Sequence, residues 1–256
     1  MSSYHVKFQI PSDIQRDNQY IPAENLKSQS HLDSINKWTV KNKMLINQKK
    51  TKTILFNFTK NHQFSTRLNL NQENVEVVSE TKLLGTIIQN NLTWDSNTTN
   101  IVKKANARMI ILRKLSEYGA QQSELKTIYI SYITSILEQS AVVWHSSLTE
   151  QNSQDLTRVQ KSACKIILRK SYVSYKKALL DLDLEDLADR RKQLCKVFAE
   201  KSANNDTIDF EINNKEHLMQ LRNPEQYKVS HFRTERFHKS AIPYMQRLLN
   251  HKDSPC

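Results

Sequence analysis

The stretch Ser123-Glu-Leu-Lys-Thr-Ile-Tyr-Ile-Ser-Tyr-Ile-Thr-Ser-Ile-Leu-Glu-Gln-Ser-Ala-Val-Val-Trp-His145 decides the fold class. Leu125, Ile128, Tyr129, Tyr132, Ile133, Ile136, Leu137, Ser140, Ala141 and Trp144 recur at i, i+3, i+4 and i+7, the period of one face of an α-helix. A fully buried large apolar side chain contributes roughly 1.5 to 3 kcal/mol. The spacing therefore predicts one helix from Ser123 to His145 at the centre of a core.

Helical spacing continues on both sides of it. Asn97, Thr98 or Thr99 can cap a helix running to Tyr118, which Gly119 ends in the left-handed conformation. Asn152 to Lys170 places Leu156, Val159, Ala163, Ile166 and Ile167 on one face. In Asp181-Leu-Asp-Leu-Glu-Asp-Leu-Ala-Asp189, Asp183 is expected to cap a helix with Asp186 three residues on, a capping arrangement rather than a metal-binding cluster. Upstream, Leu26 to Met44 has helical spacing with Leu32, Ile35, Trp38 and Met44 on one side. The period then changes to two. Thr53–Phe58, with Ile54, Phe56 and Phe58 on one face, Arg67–Leu70, Val75–Val78 and Lys82–Ile88 are short strand candidates, with Gly85 at a kink or close backbone approach. The expected class is α+β, predominantly α-helical, with a small antiparallel sheet over residues 53–90 followed by a helical bundle. Only 2 Gly and 5 Pro occur, which favours helices and weighs against a Gly-rich phosphate loop.

Charge points to a partner. Lys and Arg number 38 against 26 Asp and Glu, a net +12 that suits a polyanion. Ser34 to Gln72 holds no acid, yet carries Lys37, Lys41, Lys43, Lys49, Lys50, Lys52, Lys60 and Arg67. Leu156 to Leu180 is also acid-free, and on its helix Arg158, Lys161, Lys165 and Arg169 fall opposite the apolar face. Such a one-signed stripe costs stability through i, i+4 repulsion, so an anionic backbone is its expected partner. The stretch Ala203–Asn214 reads as a polar loop. Beyond it, Arg222 to Arg247 interleaves Tyr227, Phe232, Phe237 and Tyr244 with cations, which suits single-strand stacking and a docked terminal helix equally.

Other chemistries lack their signatures. Cys164, Cys195 and Cys256 form no Cys-x-x-Cys pair, and the His residues show no paired ligand spacing, so no zinc site or disulfide framework is expected. Cys164 and Cys195 read as core thiols. No Gly-x-Ser-x-Gly, His-Glu-x-x-His or Gly-x-x-x-x-Gly-Lys occurs. No apolar signal region or run of about 20 apolar residues appears, so no membrane is expected and the reading is intracellular.

The ordered motifs resemble the reverse transcriptases of non-LTR, jockey-like LINE retrotransposons. They are Trp38 through Asn47-Gln-Lys-Lys-Thr51 into Ile54-Leu-Phe56, Lys82-Leu-Leu-Gly85, and Leu92-Thr-Trp94. Then come Ile128-Tyr129, Ser135-Ile-Leu-Glu138, Val143-Trp144, Val159-Gln-Lys161 and Arg190-Arg191, the whole order spanning Trp38 to Ala199. The resemblance implies four segments: an extended lead-in (1–24), the end of a palm with a primer-grip-like hairpin (25–96), a helical thumb-like domain (97–202), and a loop with a basic helical tail (203–256). It implies that Lys50 lies near departing pyrophosphate, that Leu83, Leu84 and Gly85 support a primer terminus, and that the later helices grip template-primer.

The departure from the family is as informative as the match. The Tyr/Phe-x-Asp-Asp turn expected upstream of the Trp38 helix is absent, and no Asp-Asp pair occurs in the chain. Phosphoryl transfer by this family needs such carboxylates to hold two divalent ions. No cofactor is expected in this chain, and Mg²⁺ only in an intact family member. The leading expectation is thus a C-terminal fragment that binds RNA or DNA template-primer and does not polymerise alone. The alternatives are a subunit completed in trans by the missing N-terminal portion, a helical protein-interaction module, and a functionless remnant of a mobile element.

Overall fold

The computed structural model describes residues 23–58, 68–205, 207–208, 210–211, 226–229 and 231–250. The lead-in over 1–22, Lys60, Arg67, part of the loop expected over 203–214, Arg222 and Cys256 lie outside them. The class is α+β and mostly helical. The chain divides into two compact units, residues 1–55 with 59–78, and 56–58 with 79–256.

The first unit contains α1 (Ala23–Lys41), a single 3₁₀ turn (Gln48–Lys50), and strands β1 (Lys52–Ile54), β2 (Asn69–Leu70), β3 (Glu73–Asn74) and β4 (Glu76–Val78). It holds together largely through side-chain amides. Gln29 Nε2 donates to the Asn69 carbonyl and its Oε1 accepts from the Asn69 amide, at 2.8 and 2.9 Å. Asn36 bonds Asn71, and Gln48 donates to the Leu70 carbonyl. Among the unit's described residues only Leu70 and Val75 are buried apolar side chains. The side of α1 expected to be buried is therefore largely open: Ile35, Trp38 and Met44 are all exposed. Spacing predicts a face, and a face is buried only where a second apolar layer exists to receive it.

The second unit opens with β5 (Glu80–Leu83) and β6 (Thr86–Gln89). The expected single strand over Lys82–Ile88 is a hairpin turning at Leu84 and Gly85, both at positive φ (47° and 91°). The expected single antiparallel sheet is instead three two-stranded ladders: β5/β6 and β2/β3 are antiparallel, whereas β1/β4 is parallel. Strand β1 ends at Ile54, leaving Phe56 and Phe58 exposed beyond it. Strands this short present too few residues for alternation to fix their pairing.

Helix α2 (Asp95–Glu117) starts earlier than its expected caps. Asn97 and Thr98 are buried within its first turns, and Asn97 Oδ1 accepts from the Ile87 amide at 3.1 Å, pinning the hairpin to the helix. Gly119 (φ 89°) succeeds the C-terminus as expected. Helix α6 (Glu150–Leu168), capped by Thr149, runs parallel to α2: Asn152 near its start bonds Asp95, and Ile166 near its end accepts from Ser116.

The expected continuous central helix is interrupted twice. Helix α3 (Gln122–Ile128) passes into a wider π-helical segment (Tyr129–Thr134) before α4 (Ser135–Leu137). Ser140 then enters the left-handed conformation (φ 55°), and α5 (Ala141–Trp144) restarts the helix. The π segment adds a residue to a turn and so rotates the residues beyond it about the helix axis. Tyr129 and Ile133 are buried while Tyr132 is exposed. The Ser140 corner then returns Ala141 and Trp144 to the core, where the Trp144 indole N–H donates to the Gln139 carbonyl at 3.0 Å. The core is where the periodicity placed it: Leu125, Tyr129, Ile133, Leu137 and Trp144 interleave with Met109 and Leu112 of α2 and Leu156 and Ile167 of α6.

Helix α7 (Tyr175–Asp181) packs on α6, and α8 (Leu187–Asn204) packs on α5 and α6. Asp186, not Asp183, caps α8. Asp183 takes a left-handed turn conformation (φ 47°), which an Asp tolerates and which carries the chain out of α7. Short α9 (Glu235–His238) precedes α10 (Ala241–Asn250), which docks on α8 through Met245 beside Ala199 and Phe210. Among the described residues no helix is long and apolar enough to cross a membrane.

Trp144→Ala should cost about 3 to 5 kcal/mol, read from urea unfolding followed by circular dichroism. An unchanged midpoint would mean the ring is not the anchor of this core.

Candidate nucleic-acid interface

The stripe expected on α6 is divided by its surroundings. Lys161 and Lys165 are exposed and one turn apart, about 6 Å along the axis. Each ammonium lies over a tyrosine ring, Lys161 Nζ 5.1 Å from the centroid of Tyr175 and Lys165 Nζ 5.5 Å from that of Tyr172. Neither is paired with a carboxylate among the described residues. Arg158 is exposed on the same helix but ion-pairs with Asp155. Exposed Lys170, Lys176 and Lys177 extend the positive run into α7.

Arg169 does not belong to the stripe. It lies just past the last residue of α6 at φ 51°, ψ −121°, so its side chain leaves the helical direction. Its Nε donates to Ser116 Oγ at 2.8 Å, and Nη2 donates to the carbonyls of Ser116 and Ala120 at 2.7 and 2.8 Å. The last carbonyls of a helix lack intrahelical donors. Arg169 adds a side-chain donor to the Ser116 carbonyl, which also accepts from the Gly119 amide, and to the Ala120 carbonyl just past α2, and is occupied in doing so.

Tyr175 is fixed as well. Its hydroxyl lies 2.7 Å from Gln160 Oε1 and 2.9 Å from Asp186 Oδ2. Burial first, then the bond to Asp186, holds its phenol well above the usual tyrosine range. The ring under Lys161 is therefore neutral and locked in position. Gln160 is fully engaged: Nε2 donates to the Glu185 carbonyl, and Oε1 also accepts from the Leu187 amide at 3.0 Å.

The other expected site residues lie on other elements. Leu84 is 91% exposed at the hairpin tip, and Leu83 beside it is half exposed. A Cβ on Gly85 would run into the Gln139 amide, so the close backbone approach expected there is present. Lys50 lies in the first unit, exposed on the 3₁₀ turn, where the Asn47 side chain accepts from its backbone N–H. The residues around Lys50 do not fit a divalent-ion site. No acid lies between Ser34 and Gln72, Glu76 is ion-paired with Lys52, and no cluster of three potential ligands occurs among the described residues.

Several contacts were not foreseen. Tyr172 and Tyr175 lie a loop away from their lysines, beyond the reach of helical periodicity. A third acid-free run, Ser96–Ser116, carries Lys103, Lys104, Arg108, Arg113 and Lys114 along α2 and was legible in the sequence. Arg190 pairs with Glu138, which holds its guanidinium more firmly charged. Arg191 is fully buried, its Cζ 5.8 Å from the Trp144 ring and its Nε donating to His145 Nδ1 at 3.4 Å. Burial, followed by the charges of Arg191 and Lys192, lowers His145 to about 4. Burial likewise lowers Arg191 to about 10 and pushes the Cys164 and Cys195 thiols up to about 11, leaving both cysteines inert.

Comparison with protein-family models, with curated proteins and with solved structures gives no match to this chain.

Two measurements check this geometry. Arg169→Ala should lower stability by about 1 to 3 kcal/mol by removing the guanidinium that ties the Ser116 and Ala120 carbonyls to the end of α6, while Lys161→Gln should change it by less than about 0.5 kcal/mol. Equal effects in urea unfolding would return Arg169 to the surface stripe. Because the folded His145 value lies below 6.5, the unfolded chain binds the proton more readily. Stability is then fully present above pH 6.5 and is lost as pH falls toward 4, and His145→Gln should reduce that slope.

Proposed function

We propose that this chain is the C-terminal part of a non-LTR retrotransposon reverse transcriptase, and that its helical unit holds the phosphate backbone of a template-primer duplex through α6 and α7. The observation that carries the reading is the pair Lys161 and Lys165, exposed within the acid-free stretch Leu156–Leu180. Both ammonium groups are exposed and held over aromatic rings with no carboxylate among the described residues paired to them, in a run continued by Lys170, Lys176 and Lys177. Cations at helical spacing meet successive phosphates, and nothing in that face reads a base edge. The ordered motifs from Trp38 to Ala199 supply the family.

On this reading the chain does not polymerise by itself. Lys50 would assist a departing pyrophosphate only beside a carboxylate pair and Mg²⁺ supplied by the N-terminal portion of the enzyme, acting in trans. The partner is nucleic acid, RNA or DNA, and the place of action is the cytoplasm or nucleus. A second reading, a helical protein-interaction module, is favoured by the exposed apolar side chains of Ile35, Trp38, Val40, Met44 and Leu45.

Replacing Lys161 and Lys165 together with Gln should flatten the slope of log K against log salt on duplex by roughly two units. The loss should be nearly the same for every sequence tested. An unchanged slope with binding intact would make the face an ordinary solvated one, and a slope that falls only for Lys41 and Lys43 variants would move the footprint to the first unit. The isolated chain should incorporate no dNTP on any primer-template with Mg²⁺ or Mn²⁺. Incorporation abolished by Lys50→Ala would sink the fragment reading.

A further inference from the structure

The aromatic residues of the C-terminal segment fall into two groups. Tyr227 packs edge-on against Phe210, and Tyr244 edge-on against His145, so both serve the docking of α10. Phe232 and Phe237 do not. They remain 44% and 41% exposed, beside Phe58 at 53%. Phe232 contacts two imidazoles, its centroid 4.1 Å from His238 at 32° and 6.4 Å from His231 at 23°. Next to Phe237 on α9, the Arg236 guanidinium lies 4.7 Å above the Phe58 ring. Two stacks, Phe232 with His231 and His238, and Arg236 with Phe58, thus meet one short helix and its lead-in, which also carries exposed Phe237.

The charge around them has one sign. From Gln226 to Arg247 the sole acid is Glu235, and it is paired with Lys239 at 3.1 Å. Arg233 and Arg236 have no carboxylate partner among the described residues.

We infer that this cluster is a stacking platform for unpaired bases, and therefore a binding site for single-stranded nucleic acid. Exposed aromatic rings and planar cations take any base, because every base presents a π-face, while adjacent cations track the backbone. A duplex cannot use them, since its bases are already stacked inside the helix. An apolar protein partner would account for the rings but not for the unpaired arginines. The site goes beyond the duplex face of α6, shares no residue with it and requires no particular ancestry of the chain.

The test uses the full chain and fluorescence anisotropy with a labelled oligo(dT) and a blunt duplex of equal length. Phe232→Leu and Phe237→Leu keep apolar bulk and remove the ring. Each should weaken oligo(dT) binding at least about fivefold and duplex binding by less than about twofold. The Lys161 and Lys165 double Gln variant should reverse that preference. Phe232→Trp should retain oligo(dT) affinity, with its added indole emission quenched by the bound strand. Unchanged oligo(dT) affinity in both Leu variants would overturn the platform, as would equal losses on single strand and duplex. Competition by polyphosphate as effective as by oligo(dT) would reduce the site to charge alone and overturn it. Absence of oligo(dT) binding beside intact duplex binding overturns the platform and leaves the α6 face standing; the converse result supports the platform and removes the duplex face.

Discussion

The buried amide of Gln160 is the constraint on which the second half of the molecule depends. Its side chain satisfies the Glu185 carbonyl, the Leu187 amide and the Tyr175 hydroxyl at once, and it is 2% exposed. Burying an amide is unfavourable unless its bonds are made, and here each one ties α6 to the chain around the α7–α8 corner. The same network fixes the ring beneath Lys161. A core contact thereby sets the geometry of a surface cation, and the binding face is only as ordered as the amide behind it.

A similar economy governs the charged residues. Of the cations the helical wheel gathers on α6, one is drawn to Asp155, one caps the end of α2, and two remain over tyrosines. Arg190 and Arg191, adjacent in sequence, have opposite surroundings. The first pairs with Glu138 near the surface, and the second is enclosed beside Trp144 and His145 with no carboxylate among the described residues bonded to it. Each environment results from helical rotation, since neighbouring residues on α8 point about 100° apart.

The range of each interaction decides whether the sequence disclosed it. Helix α6 and its buried Leu156, Val159, Ala163 and Ile167 were legible because many residues repeat one period. Lys161 and Lys165 were legible for the same reason, as the complement of that face. Arg169 was not, because it lies one residue past the point where helical geometry holds. The ladders over 52–89 carry two to four residues each, too few to distinguish parallel from antiparallel pairing. The π segment and the Ser140 corner arise from packing against α2 and α6, and leave the apolar spacing of 123–145 looking continuous. The burial of Arg191 depends on contacts 46 residues apart in sequence, which no local pattern encodes.

The parallel arrangement of α2 and α6 gives the helical unit an electrical direction. Aligned peptide dipoles leave partial positive charge at helix N-termini and partial negative charge at C-termini, and two parallel helices add rather than cancel. The chain compensates at both ends. Asp95 and Glu150 stand in the two first turns, where the Asn152 amide also meets Asp95, and Arg169 lies at the two C-terminal ends. The N-terminal end of α2 also lies against β6, where Asn97 Oδ1 accepts from the Ile87 amide and Gln89 Oε1 accepts from the Ser96 amide. With a carboxylate in each first turn and a guanidinium at the shared C-terminal end, the added dipoles are matched at both poles, so the outward field of the unit is set by its side chains and not by its helix axes.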